Sequence, residues 1–196
     1  MDKKKIIGIT GGLASGKTTV ADMLAEKGAV KIDVDKIGHE LLAKNEDVKQ
    51  AVITLFGEKI LSEGDIDRGK LRKEAFCDEE KLEGLNRLMH PLMIKRVKDE
   101  VSRVSEGTLL IDAALLVEMG LNEATDFVVV VTADDAVRVK RAADMGISEE
   151  EAKNIIARQM PVSEKLGFAD YRIDNNGDPN TIKKGVNKLW KKMQEL

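Results

Sequence analysis

A doubly flanked parallel α/β sheet is the fold class this sequence predicts, on three observations. Five short apolar runs are rich in β-branched residues, helical patterns separate them, and a glycine-rich turn directly follows the first run. The runs are IIGIT (6–10), AVKI (29–32), TLLI (108–111), FVVVV (127–131) and YRI (171–173), each bounded by glycine, aspartate or asparagine. Continuous rather than alternating apolar character suits strands covered on both faces, as in a parallel sheet. Strands that alternate with helices imply right-handed crossovers.

In chain order, IIGIT leads through the glycine turn into KTTVADMLAEKG, a helical pattern, and then to AVKI. The gap between the second and third runs is too long for one crossover. It carries several amphipathic patterns: DKIGHELLAKN, EDVKQAVITLFG, DRGKLRKEAF and LEGLNRLMHPLMIKRVKDEVSRV. These read as a helical insertion. A second, shorter and charged insertion follows FVVVV, and the last segment, TIKKGVNKLWKKMQEL, sets Ile182, Val186, Leu189, Trp190 and Met193 on one helical face. The expected organisation is a core of residues 1–35, 106–135 and 155–196, a helical insertion of 36–105 and a lid of 136–154.

Composition narrows the function. The chain has 196 residues, 42% of them apolar, so it should be globular. Its 32 basic and 35 acidic residues leave a net charge of -3, which argues against a general nucleic-acid or membrane binder. The single cysteine, Cys77, excludes an internal disulfide and a cysteine-rich zinc site, and fits the reducing cytoplasm. Cys77 is expected to pack as a small helical residue. No apolar run approaches the ~20 residues of a membrane span, and the start, MDKKKIIGIT, lacks a secretory h-region.

The turn after the first strand satisfies G-x-x-x-x-G-K-[ST] with Gly11, Gly16, Lys17 and Thr18. Strand before and helix after give the match its meaning. Glycines let successive amides turn inward as an anion nest, and the following helix aims its N-terminal dipole at the same point. Gly11, Gly12, Leu13, Ala14, Ser15, Gly16, Lys17, Thr18 and Thr19 are therefore the expected phosphate cradle. Lys17 supplies a charge for the outer phosphates and Thr18 a hydroxyl for Mg²⁺. On this reading the side chains are absent so that phosphate can touch the backbone.

Two further strands end in acid: AVKI runs into Asp33 and Asp35, and TLLI into Asp112. Ligands of open parallel sheets sit beyond the carboxyl ends of the strands, so these acids should share a mouth with Lys17. There they can orient or deprotonate an acceptor and hold Mg²⁺, directly or through water. Asp35 can equally cap the helix that follows. Arg138, Lys140, Arg141 and Arg158 of the second insertion are candidate flap cations, Arg141 foremost, against the alternative of a solvated helix face. His39 reads as a helix surface residue. For His90, before Pro91, a hydrogen-bonded structural role and a substrate contact compete evenly.

GITGGLASGKTTVADML, IDVD, LNRLMHPLM, LIDAALLVEMGL and ARQMPVSEKLGFADYRIDNNG, in this order over nearly the whole chain, resemble the dephospho-coenzyme A kinase family. The resemblance implies a P-loop kinase fold of five parallel strands with an inserted substrate domain and lid. It implies phosphorylation of the 3'-hydroxyl of dephospho-coenzyme A by ATP, the last step of coenzyme A synthesis. It casts Asp33 as general base, Lys17 and Thr18 as phosphate and Mg²⁺ positions, and Asn175 as part of the segment against the ATP adenine. Asp67, Arg68 and Arg72 match a motif of the helical domain near the acceptor, with ion pairing inside that domain as the alternative. The chain departs from the family where Met145 replaces a second lid arginine and where Ala114 replaces a frequent proline. Alternatives from the residues are another P-loop nucleoside or nucleotide kinase, or a P-loop switch, although the guanine-specifying Asn-Lys-x-Asp of such switches is absent.

Overall fold

The structure, a computed structural model, describes residues 4–177 and 179–195. Residues 1–3 of the lysine-rich start, and residues 178 and 196 of the expected core, lie outside the described residues. The chain divides into two compact units, Met1–Asp33 with Asp99–Leu196, and Val34–Lys98.

The first unit is built on five parallel strands: β1 (Lys5–Thr10), β2 (Val30–Asp33), β5 (Thr108–Asp112), β6 (Phe127–Thr132) and β7 (Tyr171–Asp174). Their order is β2-β5-β1-β6-β7. All six residues of β6 are buried, whereas the edge strands β2 and β7 each keep exposed positions. That contrast follows from place in the sheet, since only interior strands are covered on both faces. Ile7, Ile9, Leu110, Val129, Val131 and Ile173 face helices α1 (Lys17–Ala25) and α9 (Pro179–Gln194). In α9 the apolar stripe is seated as its 3.6-residue period requires: Ile182, Val186, Leu189 and Met193 are buried, and Trp190 packs at the rim. On the sheet's other face Leu116 occupies the space beside Gly8, where a Cβ would stand 2.6 Å from its Cδ2. Two helices, α6 (Asp135–Asp144) and α7 (Glu149–Arg158), pack against each other after β6. Ser148 caps α7 by accepting from the Glu151 N–H at 3.2 Å. A short α8 (Val162–Leu166) leads into β7.

The second unit contains α2 (Val34–Lys44), α3 (Glu46–Phe56), α4 (Arg68–Cys77) and most of α5 (Glu79–Arg103), around Val48, Val52, Phe56, Ile60, Leu71, Ala75 and Met89. Asn45 and Asp67 cap α3 and α4 through the Val48 and Lys70 N–H groups. The sequence reading expected only helices here. The structure adds a hairpin, β3 (Leu61–Ser62) with β4 (Asp65–Ile66), turned through Glu63 and Gly64 at φ 52° and 86°. Two left-handed residues make the turn that suits strand twist, but two-residue strands are too short to leave an alternating pattern. Cys77 is helical as expected but exposed, which corrects the packed reading. Asp35 lies inside the first turn of α2 rather than before it, so it interacts with the helix dipole and does not serve as the cap. Among the described residues, no helix is long and apolar enough to cross a membrane.

Candidate active site

β1 ends at Thr10, and the chain turns through Gly11–Gly16 into α1. The turn is closed by the Ser15 N–H donating to Gly12 O at 3.1 Å, with Ala14 at φ 54° and Gly16 at φ 89°. Left-handed backbone at these positions is the conformation an inward-facing amide nest requires. The first turn of α1 adds N–H groups that have no acceptor within the helix. Thr18 and Thr19 are exposed there.

Parallel pairing sets the acids beside this loop. Asp112, at the end of β5, is in register with Ile9 of β1 on one side and with Asp33 of β2 on the other. Registered neighbours of adjacent strands lie about 4.8 Å apart and project to the same face. Asp112 is 1% exposed and Lys17 7%, and the Lys17 ammonium donates to Asp112 Oδ1. Asp33 is half-buried alongside. A basic side chain that the sequence reading passed over, Lys31 of β2, pairs with Asp22 of α1. The Asp22 hydrogen bond, and then the charges of Asp22, Asp112 and Asp33, raise the Lys31 pKa above its ordinary 10.5 against the opposing effect of burial. The acids at the strand ends are thus an electrostatic group that reaches back along β2.

The loop is held from outside. Arg138 of α6 donates from Nε to Leu13 O at 2.9 Å, and Gln159, just after α7, accepts from the Leu13 N–H at 2.9 Å. Arg138 Nη2 reaches the same Gln159 oxygen at 3.2 Å, and Nη1 pairs with Asp135 at 2.8 Å. Arg138, one of the candidate flap cations, is only 3% exposed and is taken up by these bonds as a brace of the loop. Asn175 Nδ2 donates to Ser15 O at 2.7 Å. Arg141 Nη2 donates to Asn175 O and Oδ1 at 3.0 and 3.2 Å, while its buried Nη1 has no hydrogen-bond partner. The missing side chains of the loop acquire a second explanation here. A Cβ on Gly12 would strike the Arg138 guanidinium, and one on Gly16 the Asn175 amide. These glycines make room for the brace as well as for any phosphate.

Lys165 of α8 was also without an assigned role. It is 0% exposed, donates to Ala114 O at 2.7 Å and pairs with Glu118 at 2.9 Å. Thr10 Oγ1 donates to the same Ala114 carbonyl at 3.1 Å. Two side chains therefore pin the backbone just beyond Asp112. Lys165 and Gln159 both fall in the ARQMPVSEKLGFAD segment, the one signal that could have drawn attention to them. Asp35, Arg72 and His90 belong to the other unit: Asp35 is exposed, Arg72 is half-buried on α4 and His90 half-buried on α5. Arg68 Nη1 lies 2.8 Å from His39 Nδ1 within that unit.

A family model for dephospho-CoA kinase matches residues 5–180. The dephospho-CoA kinase of Aquifex aeolicus is 41% identical over 191 residues, 96% of this chain and 97% of that one. The solved structure of TT1252 from Thermus thermophilus superposes with a TM-score of 0.78 at 29% identity, covering 97% of this chain and 98% of its own. A shikimate kinase from Bacteroides thetaiotaomicron, at TM-score 0.51 and 22% identity over 98% of this chain and 99% of that one, shares the P-loop kinase fold alone. With strand order, loop and strand-end acids all in place, the chain belongs to the dephospho-CoA kinase family.

Proposed function

We propose that the chain transfers the γ-phosphoryl group of ATP to the ribose 3'-hydroxyl of dephospho-CoA, giving CoA and ADP, in the cytoplasm. The observation that carries this reading is the buried Lys17–Asp112 pair, in register with Asp33 at the mouth of the glycine loop. Lys17 and the loop amides hold the β- and γ-phosphates. Asp112 keeps the lysine ammonium over the loop. Asp33 orients the 3'-hydroxyl and takes its proton as the oxygen attacks phosphorus and the bond to ADP breaks. Arg141, with an unused Nη1, is the cation on α6 that can face the transferring group.

The donor set suits Mg²⁺. Among the described residues no cluster of three or more His, Cys, Asp or Glu could hold a metal ion. The exposed Thr18 hydroxyl and the Asp112 carboxylate are hard oxygen donors beside the loop. When bound, Mg²⁺ would neutralise phosphate charge. Asn175 belongs with the nucleotide-binding residues through its bond to the loop. The unit of residues 34–98, with Arg72, His90 and Asp35, is the proposed acceptor-binding part, and the α6–α7 excursion the proposed lid.

The test is a coupled assay with ATP and Mg²⁺ against dephospho-CoA, AMP, UMP, adenosine and shikimate. Turnover of dephospho-CoA alone is expected. Preference for another acceptor, or hydrolysis of ATP with no phosphorylated product, overturns the reading.

A further inference from the structure

Leu13 has both its backbone N–H and its backbone C=O held by side chains of other elements. Its N–H donates to Gln159 Oε1 at 2.9 Å and its C=O accepts from Arg138 Nε at 2.9 Å. The same Gln159 oxygen accepts from Arg138 Nη2 at 3.2 Å, closing a ring of the Leu13 main chain, the guanidinium and the carboxamide oxygen. Arg138 lies in α6 and Gln159 immediately after α7, so the ring ties both ends of the proposed lid to the start of the phosphate loop. Gly12 has no side chain where the guanidinium lies.

We propose that Gln159 is a positioning residue for ATP. Through its single oxygen it fixes the Gly12–Leu13 peptide plane, while Arg138 fixes the Leu13–Ala14 plane, and together they set the curvature of the loop that receives the phosphates. The reason is geometric. The Leu13 N–H lies in the Gly12–Leu13 peptide and its C=O in the Leu13–Ala14 peptide. Rotation of the first therefore breaks the neutral bond to Gln159 and rotation of the second the charge-assisted bond to Arg138, and either rotation re-aims the amides of the loop. An isolated loop would sample such rotations, and ordering it would then oppose nucleotide binding. Because the oxygen alone does the work, the demand on residue 159 is for an acceptor at that reach, not for an amide.

This inference rests on the ATP-dependent reading above, and the test separates the two. Gln159→Leu keeps size and removes the acceptor, whereas Gln159→Glu keeps an acceptor oxygen, removes the Nε2 donors and adds a negative charge that faces the Arg138 guanidinium. Steady-state kinetics are measured with ATP and dephospho-CoA varied in turn, together with calorimetric titration of ATP·Mg²⁺ into each protein without acceptor. Losing two hydrogen bonds of ordinary strength corresponds to a rise of about 5- to 30-fold in the ATP dissociation constant and KM for Gln159→Leu. The KM for dephospho-CoA should change less than about threefold on the same argument, and Gln159→Glu should recover ATP affinity to within a similar factor. A merely structural role would lower the melting temperature and disturb both substrates equally. If Gln159→Leu does not fold, Gln159→Asn, which withdraws the oxygen by one methylene, replaces it with the same expectation. Unchanged ATP affinity without the acceptor, or an equal loss in Gln159→Glu, overturns the inference. A wild-type protein that fails to bind ATP overturns instead the function on which it rests.

Discussion

Replacing Lys165 with methionine should cost about 2–3 kcal/mol of folding stability. The side chain is 0% exposed, and methionine nearly matches its length and apolar stem, so little cavity forms. What is lost is electrostatic. The ammonium donates to Ala114 O at 2.7 Å and pairs with Glu118 at 2.9 Å. A hydrogen bond from a charged group contributes about 1.5–3 kcal/mol, and orphaning one partner of a fully buried pair costs about 3–5 kcal/mol. Two features keep the sum near the lower figure. The Glu118 side chain is 20% exposed and can still reach water, and Thr10 Oγ1 continues to donate to Ala114 O. For a chain of this size each kcal/mol shifts the melting temperature by about 2–4 °C, so a fall of about 4–12 °C is expected. Thermal and urea unfolding followed by circular dichroism read it directly. Adding Glu118→Gln removes the orphaned charge and should return about 1 kcal/mol. A single variant within about 0.5 kcal/mol of wild type, or a double variant less stable than the single, would refute the claim that this pair pins the strand end.

Asp33→Asn should reduce kcat by about 10²–10⁴-fold with near-normal ATP affinity, as removal of a general base does, and wild-type turnover would remove Asp33 from the chemistry. Gly16→Ala should weaken ATP binding at least tenfold and cost about 1–2 kcal/mol, because φ is 89° and the new methyl would displace the Asn175 amide from Ser15; calorimetry and urea unfolding would show both, and neutrality would mean that the loop relaxes freely. Asp67 accepts the Lys70 N–H, and that bond holds its carboxyl below the ordinary value of 3.8. Its contribution is therefore present above that value and lost as pH falls through the lower folded-state pKa. The gap in urea midpoint between wild type and Asp67→Ala should shrink between neutral pH and about pH 3, and a constant gap would show that the cap is indifferent to its charge.

Much of the scaffold was legible because its signals are local. FVVVV is buried throughout because a strand covered on both faces needs apolar residues at consecutive positions. The apolar stripe of α9 followed from helical periodicity. The hairpin at Leu61–Ile66 was not legible, since two-residue strands carry no period. At the site, Lys17, Asp33 and Asp112 were picked out because strand ends and a glycine loop have recognisable sequence grammar. The buried hydrogen bonds of Arg138, which the sequence offers only as a flap cation, and of Gln159 and Lys165 were not legible, because a polar residue looks the same in sequence whether it ends in water or in a buried hydrogen bond.

The sequence by itself determined where the five strands of the main sheet and the phosphate loop would form, since the identity of a few consecutive residues restricts backbone angles and burial within one element. Only the tertiary structure decided which side chains hold that loop. Lys17 meets Asp112 across 95 positions, Gln159 meets Leu13 across 146 and Asn175 meets Ser15 across 160. Such encounters depend on parallel register and on how the elements of the core pack around the loop. Those are properties of the assembled chain, in which each polar group must find a partner once water has been excluded.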